Sequence, residues 1–392
     1  MQRPQFPLPI APAASTSELE SRLVRTREEM ALAGIDFLVL TSRSNFEYFT
    51  DHKTLTWAYH ARPLFAVITP AKLAVIASRA EARNIEMRER PFAASYYDGY
   101  LKEATDTVIQ TIVNEDADAR GVVALDYGQD HFGRGSLELV QELQARGRVV
   151  SGADLIWRVR AIKSLYEVAL KRASFAIVNS AFDEAIAEAR IGMTEVDLLR
   201  QIQSGIILKG AERADPIAML FSKGDFIYNR LAGDRKLEEG HTIWTDFRST
   251  YGGYPADRNR IARAGEPSAW EIRTYATIRS LTMALCKSAR PGMTGRDLYA
   301  RYADLWRDAD LGSAYNAISR VGHGGGLDVT EPPSISATST EVLRDGMIIH
   351  LEPKLEANGA VFQFEEIVLI RERGIEFLSE PHPDSIPVVP VR

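Results

Sequence analysis

Two nine-residue stretches, one hundred residues apart, constrain the fold of this chain more than any other feature. Arg190-Ile-Gly-Met-Thr-Glu-Val-Asp-Leu198 and Arg290-Pro-Gly-Met-Thr-Gly-Arg-Asp-Leu298 agree at Arg, Gly-Met-Thr, Asp and Leu. Each follows a long helical run, Ser164 to Ala189 and Ser268 to Ala289. Each precedes a second, Leu199 to Lys209 and Tyr299 to Arg307. Apolar residues at helical spacing, stopped by glycine and restarted after threonine, read as helix, turn, helix. Two such units in register predict an internal duplication about a pseudo-twofold axis. The groove along that axis is a natural place for a site fed by both halves.

The first 158 residues have a different texture. Ser17 to Ala33 has helical spacing with Gly34 as its stop, and Ile35 to Leu40 is a short buried strand. Leu64 to Ile68 and Leu73 to Ile76 flank Thr-Pro-Ala-Lys as a hairpin, Val122 to Asp126 is a further strand, and Gly135 to Arg146 is a helix. Strands alternating with helices predict an α/β domain over 17–158. It lacks the glycine loops that cradle phosphates. Ahead of it, the proline-rich and small residues 1–16 read as a flexible arm, one that can lie on a partner subunit. Residues 159–392 form the second domain of a chain whose 392 residues are too many for one core.

A net charge of −6 with interspersed signs argues against a nucleic-acid partner, and no apolar run is long enough to span a membrane. The only cysteine, Cys286, lies in an apolar helical stretch and reads as a buried structural thiol. With no disulfide to form, the chain suits a reducing compartment, and the cytoplasm is the expected location.

The residues that carry chemistry lie in the second domain. Thr242 to Phe247 alternates as a strand carrying Asp246, and Ser249 to Tyr254 turns the chain. Ala256 to Ala262 returns as a second strand with Asp257, eleven residues after Asp246. Two carboxylates at one end of paired strands repel unless a cation or a shared proton intervenes. His323 sits in Val-Gly-His-Gly-Gly-Gly-Leu, where glycine lets backbone make room for a ligand. Glu352 lies on the alternating strand Gly346 to Pro353. Glu365 is expected inside the strongly apolar strand Val361 to Ile370, where a carboxylate needs a partner or a metal. One imidazole and four carboxylates suit two divalent ions such as Mn, Co, Fe or Zn. Two such ions can share a bridging hydroxide and polarise a substrate oxygen.

In order and spacing these motifs resemble the pita-bread metalloenzymes: methionine aminopeptidase, aminopeptidase P, prolidase and their non-peptidase relatives. The similar segments are Asp246, Gly253-Tyr254, Asp257 and Arg260; Gly322-His323-Gly324; Gly346 to Pro353; and Glu365-Glu366-Ile367-Val368. The linker Arg160-Ala-Ile-Lys-Ser164 and both Gly-Met-Thr turns look like those of the creatinase/prolidase branch, which adds an N-terminal α/β domain. The resemblance implies an α/β N-terminal domain plus an α+β pita-bread C-terminal domain. It also implies homodimerisation and a small-molecule or dipeptide substrate. Asp257 and Glu365 would bridge the ions, Asp246 would chelate one, and His323 and Glu352 would bind the other, with Glu352 as general base.

The departures concern the substrate. Where the peptidases carry two further histidines, this chain has Asn229 and Thr330, and where they usually have glycine it has Arg248. Asn and Thr hydrogen-bond without exchanging protons at neutrality. Arg248 can hold a substrate carboxylate, or pair with Glu366 or another acid. Tyr254 joins these as a candidate substrate contact, and Trp57 and His60 as a lid reaching a partner's site. His350, on the strand of Glu352, is a candidate supporting group. His52, His131, His241 and His382 read as surface or satisfied core. The leading expectation is metal-dependent hydrolysis of a C–N bond in a small zwitterionic substrate, Xaa-Pro dipeptides first. The alternatives are a metal-dependent lyase on a small carboxylate such as dimethylsulfoniopropionate, and an inactive binding module.

Overall fold

A computed structural model describes residues 4–59, 61–116, 121–126, 137–214, 217–228, 230–314 and 319–391. The chain divides into two compact units. One is Ala13–Arg160; the other joins the N-terminal segment up to Pro12 to Ala161–Arg392.

In the first unit, helix α1 (Thr16–Ala33) is capped by the Ser15 side chain and stopped by Gly34 in the left-handed conformation. Strands β1 (Phe37–Leu40), β2 (Phe65–Ile68), β3 (Leu73–Ser78), β4 (Ala93–Tyr97), β5 (Val123–Leu125) and β6 (Val149–Ser151) form a sheet in the order β4-β3-β2-β1-β5-β6. The expected hairpin is β2–β3. Helices α2 (Arg43–Thr50), α3 (Ala82–Glu86), α4 (Leu101–Glu115), α5 (Leu137–Arg146) and α6 (Ala153–Arg160) complete the unit. Asp126 ties β5 to the start of α2 by accepting from Thr41, Ser42 and Asn45.

The second unit repeats itself. Helices α7 (Leu165–Glu188) and α8 (Glu195–Leu208) precede strands β7 (Ala218–Ser222), β8 (Thr242–Phe247), β9 (Thr250–Tyr251), β10 (Tyr254–Pro255) and β11 (Arg258–Ala264). Helices α9 (Ala269–Ser288) and α10 (Gly295–Asp308) precede β12 (Arg320–Gly324), β13 (Glu331–Ser336), β14 (Ile348–Leu351), β15 (Lys354–Ala357), β16 (Ala360–Gln363), β17 (Glu366–Arg371), β18 (Gly374–Phe377) and β19 (Val388–Val389). Ser164 with Glu167 and Ser268 with Glu271 make matching capping boxes at α7 and α9, and Thr194 with Asp197 and Thr294 with Asp297 do so at α8 and α10. Both Gly-Met-Thr turns also close in the same way. Gly192 donates to Leu237 and Leu237 to Met193; Gly292 donates to Leu343 and Leu343 to Met293. Gly192 and Gly292 both have φ of 88°, which a side chain would strain. The duplication is therefore a repeat of hydrogen bonds as well as of letters.

Sheet β19-β11-β8-β7 and sheet β13-β12-β14-β17-β18 carry the two halves. Alternate residues of β17 feed different cores. Ile367 and Leu369 join the cluster under α7 and α8, while Val368 and Ile370 join the one under α9 and α10.

Two expectations need correction. The run Val361 to Ile370 is two strands: β16 pairs only with β15, β17 pairs with β14 and β18, and Glu365 lies in the crossing between them. The N-terminal segment from Pro4 to Pro12 is anchored, contrary to the reading of a loose arm. Leu8 N–H donates to Lys209 O, Tyr251 Oη to Pro9 O and Tyr166 Oη to Pro12 O. Thr16 belongs to α1.

Candidate metal centre

Strand geometry brings the five sequence candidates to one place. Asp246, next to last on β8, faces Asn259 across the β8–β11 ladder, and Asp257 immediately precedes β11. Val321 O accepts from Glu352 N and Gly322 pairs with Leu351, so His323, His350 and Glu352 share one face of β12–β14. Glycine is required here: a Cβ on Gly322 would lie 2.1 Å from His350 O, and one on Gly325 would lie 2.5 Å from His350 Nε2. Asn259 N–H donates to Glu365 Oε2 at 2.7 Å and so draws the β16–β17 crossing onto β11.

Within the cluster, His323 Nε2 lies 3.5 Å from Asp257 Oδ2 and 3.7 Å from Glu352 Oε1. Its Nδ1 bonds the Gly324 carbonyl, which can only accept, so Nδ1 carries the proton and Nε2 turns its lone pair toward the acids. Burial lowers the imidazole pKa to about 3, keeping it neutral. Gln363 Nε2 donates to Glu352 Oε2, and Trp244 Nε1 holds Gln363 in turn. Single ligand atoms from Asp257, His323, His350 and Glu365 all lie within 4.8 Å of one another.

The electrostatics of this group call for a cation. Burial, then the other acids of the cluster, push the carboxyl pKa values of Asp257, Glu352 and Glu365 upward. Asp246 Oδ1 is buried with no hydrogen-bond partner among the described residues. An orphaned acceptor beside three acids resisting ionisation is the environment a divalent ion relieves, and the donor set of oxygens and one lone-pair nitrogen fits one.

Cations and aromatic rings rim the cluster. Arg248 Nε stands 3.5 Å from Asp257 Oδ1. Lys171, fully buried on α7, donates to Pro255 O. Lys354 Nζ lies over the rings of Tyr228, Trp244 and Phe226, at 4.2, 5.2 and 5.5 Å from their centroids. Burial lowers both lysines to about 8, against the pull of nearby carboxylates. Behind the cluster, Glu366 pairs with Arg258 and with His382 Nδ1. Arg248 thus faces Asp257, and Glu366 has its own partners.

Other expected contacts lie elsewhere. Tyr254 is buried, and its hydroxyl bonds Glu167 and so joins β10 to α7. Trp57 is buried and packs edge-on against Phe46 in the first unit. Thr330 is exposed. Asn229, His60 and His131 lie outside the described residues. His52 bonds Glu81, and His382 bonds Glu366. Cys286 is buried.

Sequence reasoning missed Tyr228, Lys354 and Gln363. Only Gln363 left a signal, two residues from Glu365 where a strand's alternation would put both on one face.

Fold and centre together define a metal-dependent hydrolase. Residues 169–372 match the model of metallopeptidase family M24, and residues 22–162 match the creatinase/prolidase N-terminal domain. The chain belongs to metallopeptidase family M24. An uncharacterized peptidase of Bacillus subtilis is 23% identical over 90% of this chain and 96% of its own length. A probable dipeptidase of Mycobacterium bovis is 31% identical over 62% of this chain and 64% of its own. The crystal structure of an X-Pro aminopeptidase from Thermotoga maritima superposes with a TM-score of 0.79 at 23% identity, covering 94% of this chain and 99% of that one. No described helix is long and apolar enough to cross a membrane.

Proposed function

We propose that this protein hydrolyses a C–N bond in a small zwitterionic substrate at a dinuclear metal centre, with Xaa-Pro dipeptides the first class to test. The single observation that carries this reading is the convergence of Asp257, His323, Glu352 and Glu365, with the orphaned Asp246 near enough for its charge to weigh on all three of those acids. The names of the dipeptidase and aminopeptidase relatives support the dipeptide class.

Asp246, Asp257, His323, Glu352 and Glu365 would hold the ions, which when bound supply Lewis acidity and a more acidic water. Glu352, held by Gln363, accepts the proton of the attacking water and returns it to the leaving nitrogen. Arg248, half-buried at the rim, holds the substrate carboxylate. His350 fixes Glu365, and Lys171 holds the backbone leading into Asp257.

The test is turnover of Ala-Pro, Gly-Pro, creatine, ectoine and dimethylsulfoniopropionate by protein loaded with Mn, Co, Fe or Zn. Dipeptide cleavage that chelator abolishes supports the reading. Turnover of the sulfonium compound alone replaces hydrolysis with elimination.

A further inference from the structure

Tyr228 has a hydroxyl that no packing argument explains. Its ring is accounted for: it meets Trp244 edge-on, centroids 5.8 Å apart, and carries Lys354 Nζ on its face. Trp244 stands two residues before Asp246 on β8, and Lys354 two residues after Glu352. The ring is therefore wedged where the two carboxylate-bearing segments meet. The hydroxyl, by contrast, donates to no other described residue. The charges that weigh on it are those of Asp246, Glu352, Asp257 and Glu365, all four acids of the centre. Burial and these charges raise the phenol pKa, so the group stays a protonated donor throughout the working pH range.

We propose that Tyr228 is a catalytic residue whose hydroxyl donates a hydrogen bond to the substrate oxygen as negative charge develops there. The inference rests on the hydrolase reading. Water oxygen bonds to the carbonyl carbon, the C=O electron pair moves onto oxygen, and Glu352 takes the water proton. Collapse re-forms C=O, breaks the C–N bond and sends the proton to nitrogen. Tyr228 keeps its own proton and stabilises the oxyanion, so the step needs no further reactant. A neutral donor suits this role, because it meets the charge without adding an anion to a centre that already holds four.

Tyr228→Phe isolates the hydroxyl, because the ring and its contacts with Trp244 and Lys354 remain. With Mn-loaded protein and Ala-Pro, kcat should fall by about 10²–10³ with KM within about threefold. A phosphinic analogue of Ala-Pro, a tetrahedral anion with no bond to cleave, should bind the variant about 100-fold more weakly by calorimetry. Bound Mn should be equal in both proteins. Unchanged kcat, or a loss of Mn that accounts for the loss of rate, overturns the proposal. If the wild-type protein leaves every dipeptide intact, the hydrolase reading fails separately. The phosphinic titration then decides alone: equal affinities, or no binding by either protein, overturn the role of Tyr228.

Discussion

His350 lies flat against His323, ring centroids 4.9 Å apart and planes within 14°, while its Nδ1 is 2.8 Å from Glu365 Oε1. One fully buried imidazole thus braces two residues of the centre, one by stacking and one by a hydrogen bond. Supporting contacts of this kind set ligand orientation. His350→Ala should weaken Mn binding by about 10–100-fold, read by calorimetry. An affinity within about threefold of wild type would show that Glu365 needs no such brace.

Arg248 would compete with a metal ion for Asp257. With its Nε 3.5 Å from the carboxylate, the guanidinium occupies part of the field that an ion would use. Arg248→Ala should therefore tighten Mn binding while raising KM for Ala-Pro by about tenfold or more. The amide of the same dipeptide, lacking the carboxylate, should lose nothing. Equal losses with both substrates would remove Arg248 from carboxylate recognition.

The raised carboxyl pKa values of Asp257, Glu352 and Glu365 tie metal binding to pH. In the metal-free protein their contribution to stability is full below the ordinary carboxylate pKa and is lost as pH rises through neutrality. A bound ion replaces those protons. His323 is already neutral and gives up none. The rise in melting temperature on adding Mn should therefore grow from about pH 6 to about pH 8, with proton release measurable in buffers of different ionisation enthalpy. A shift that shrinks over that range would contradict the arrangement.

Glu366 behaves in the opposite sense. Burial would raise it, but Arg258, then His382 and Arg260, hold it down to about 2. That contribution is present above the unfolded value and is lost as pH falls from there toward about 2. Glu366→Gln should destabilise the protein at neutral pH and flatten its acid unfolding profile, followed by circular dichroism. A variant as stable as wild type at pH 7 with the same acid midpoint would refute the assignment.

The candidate ligands were legible in the sequence because their chemistry leaves few alternatives: carboxylates on apolar strands and a histidine among glycines need an explanation wherever they occur. Glu365 shows the limit. Val361 to Ile370 reads as one strand, with apolar residues flanking Gln363 and the Glu365-Glu366 pair, and those letters do not mark the point where the chain changes pairing partners. Tyr228 and Lys354 were invisible for another reason. Neither sits in a periodic pattern, and both reach the centre only because the β15–β16 ribbon and the segment after β7 fold over β8. The arm over 1–16 reads as loose from its prolines, but the carbonyls of Pro9 and Pro12 are held by tyrosines more than 150 residues away in sequence.

The duplicated halves share out the candidate ligands unequally, two acids from the first and two acids with the imidazole from the second. Neither repeat alone can close a coordination sphere. An ion held by all five would consequently also be a clasp across the seam between them. Amide exchange in β8 and in β12 should slow together when the ion enters, although no backbone hydrogen bond joins those two strands.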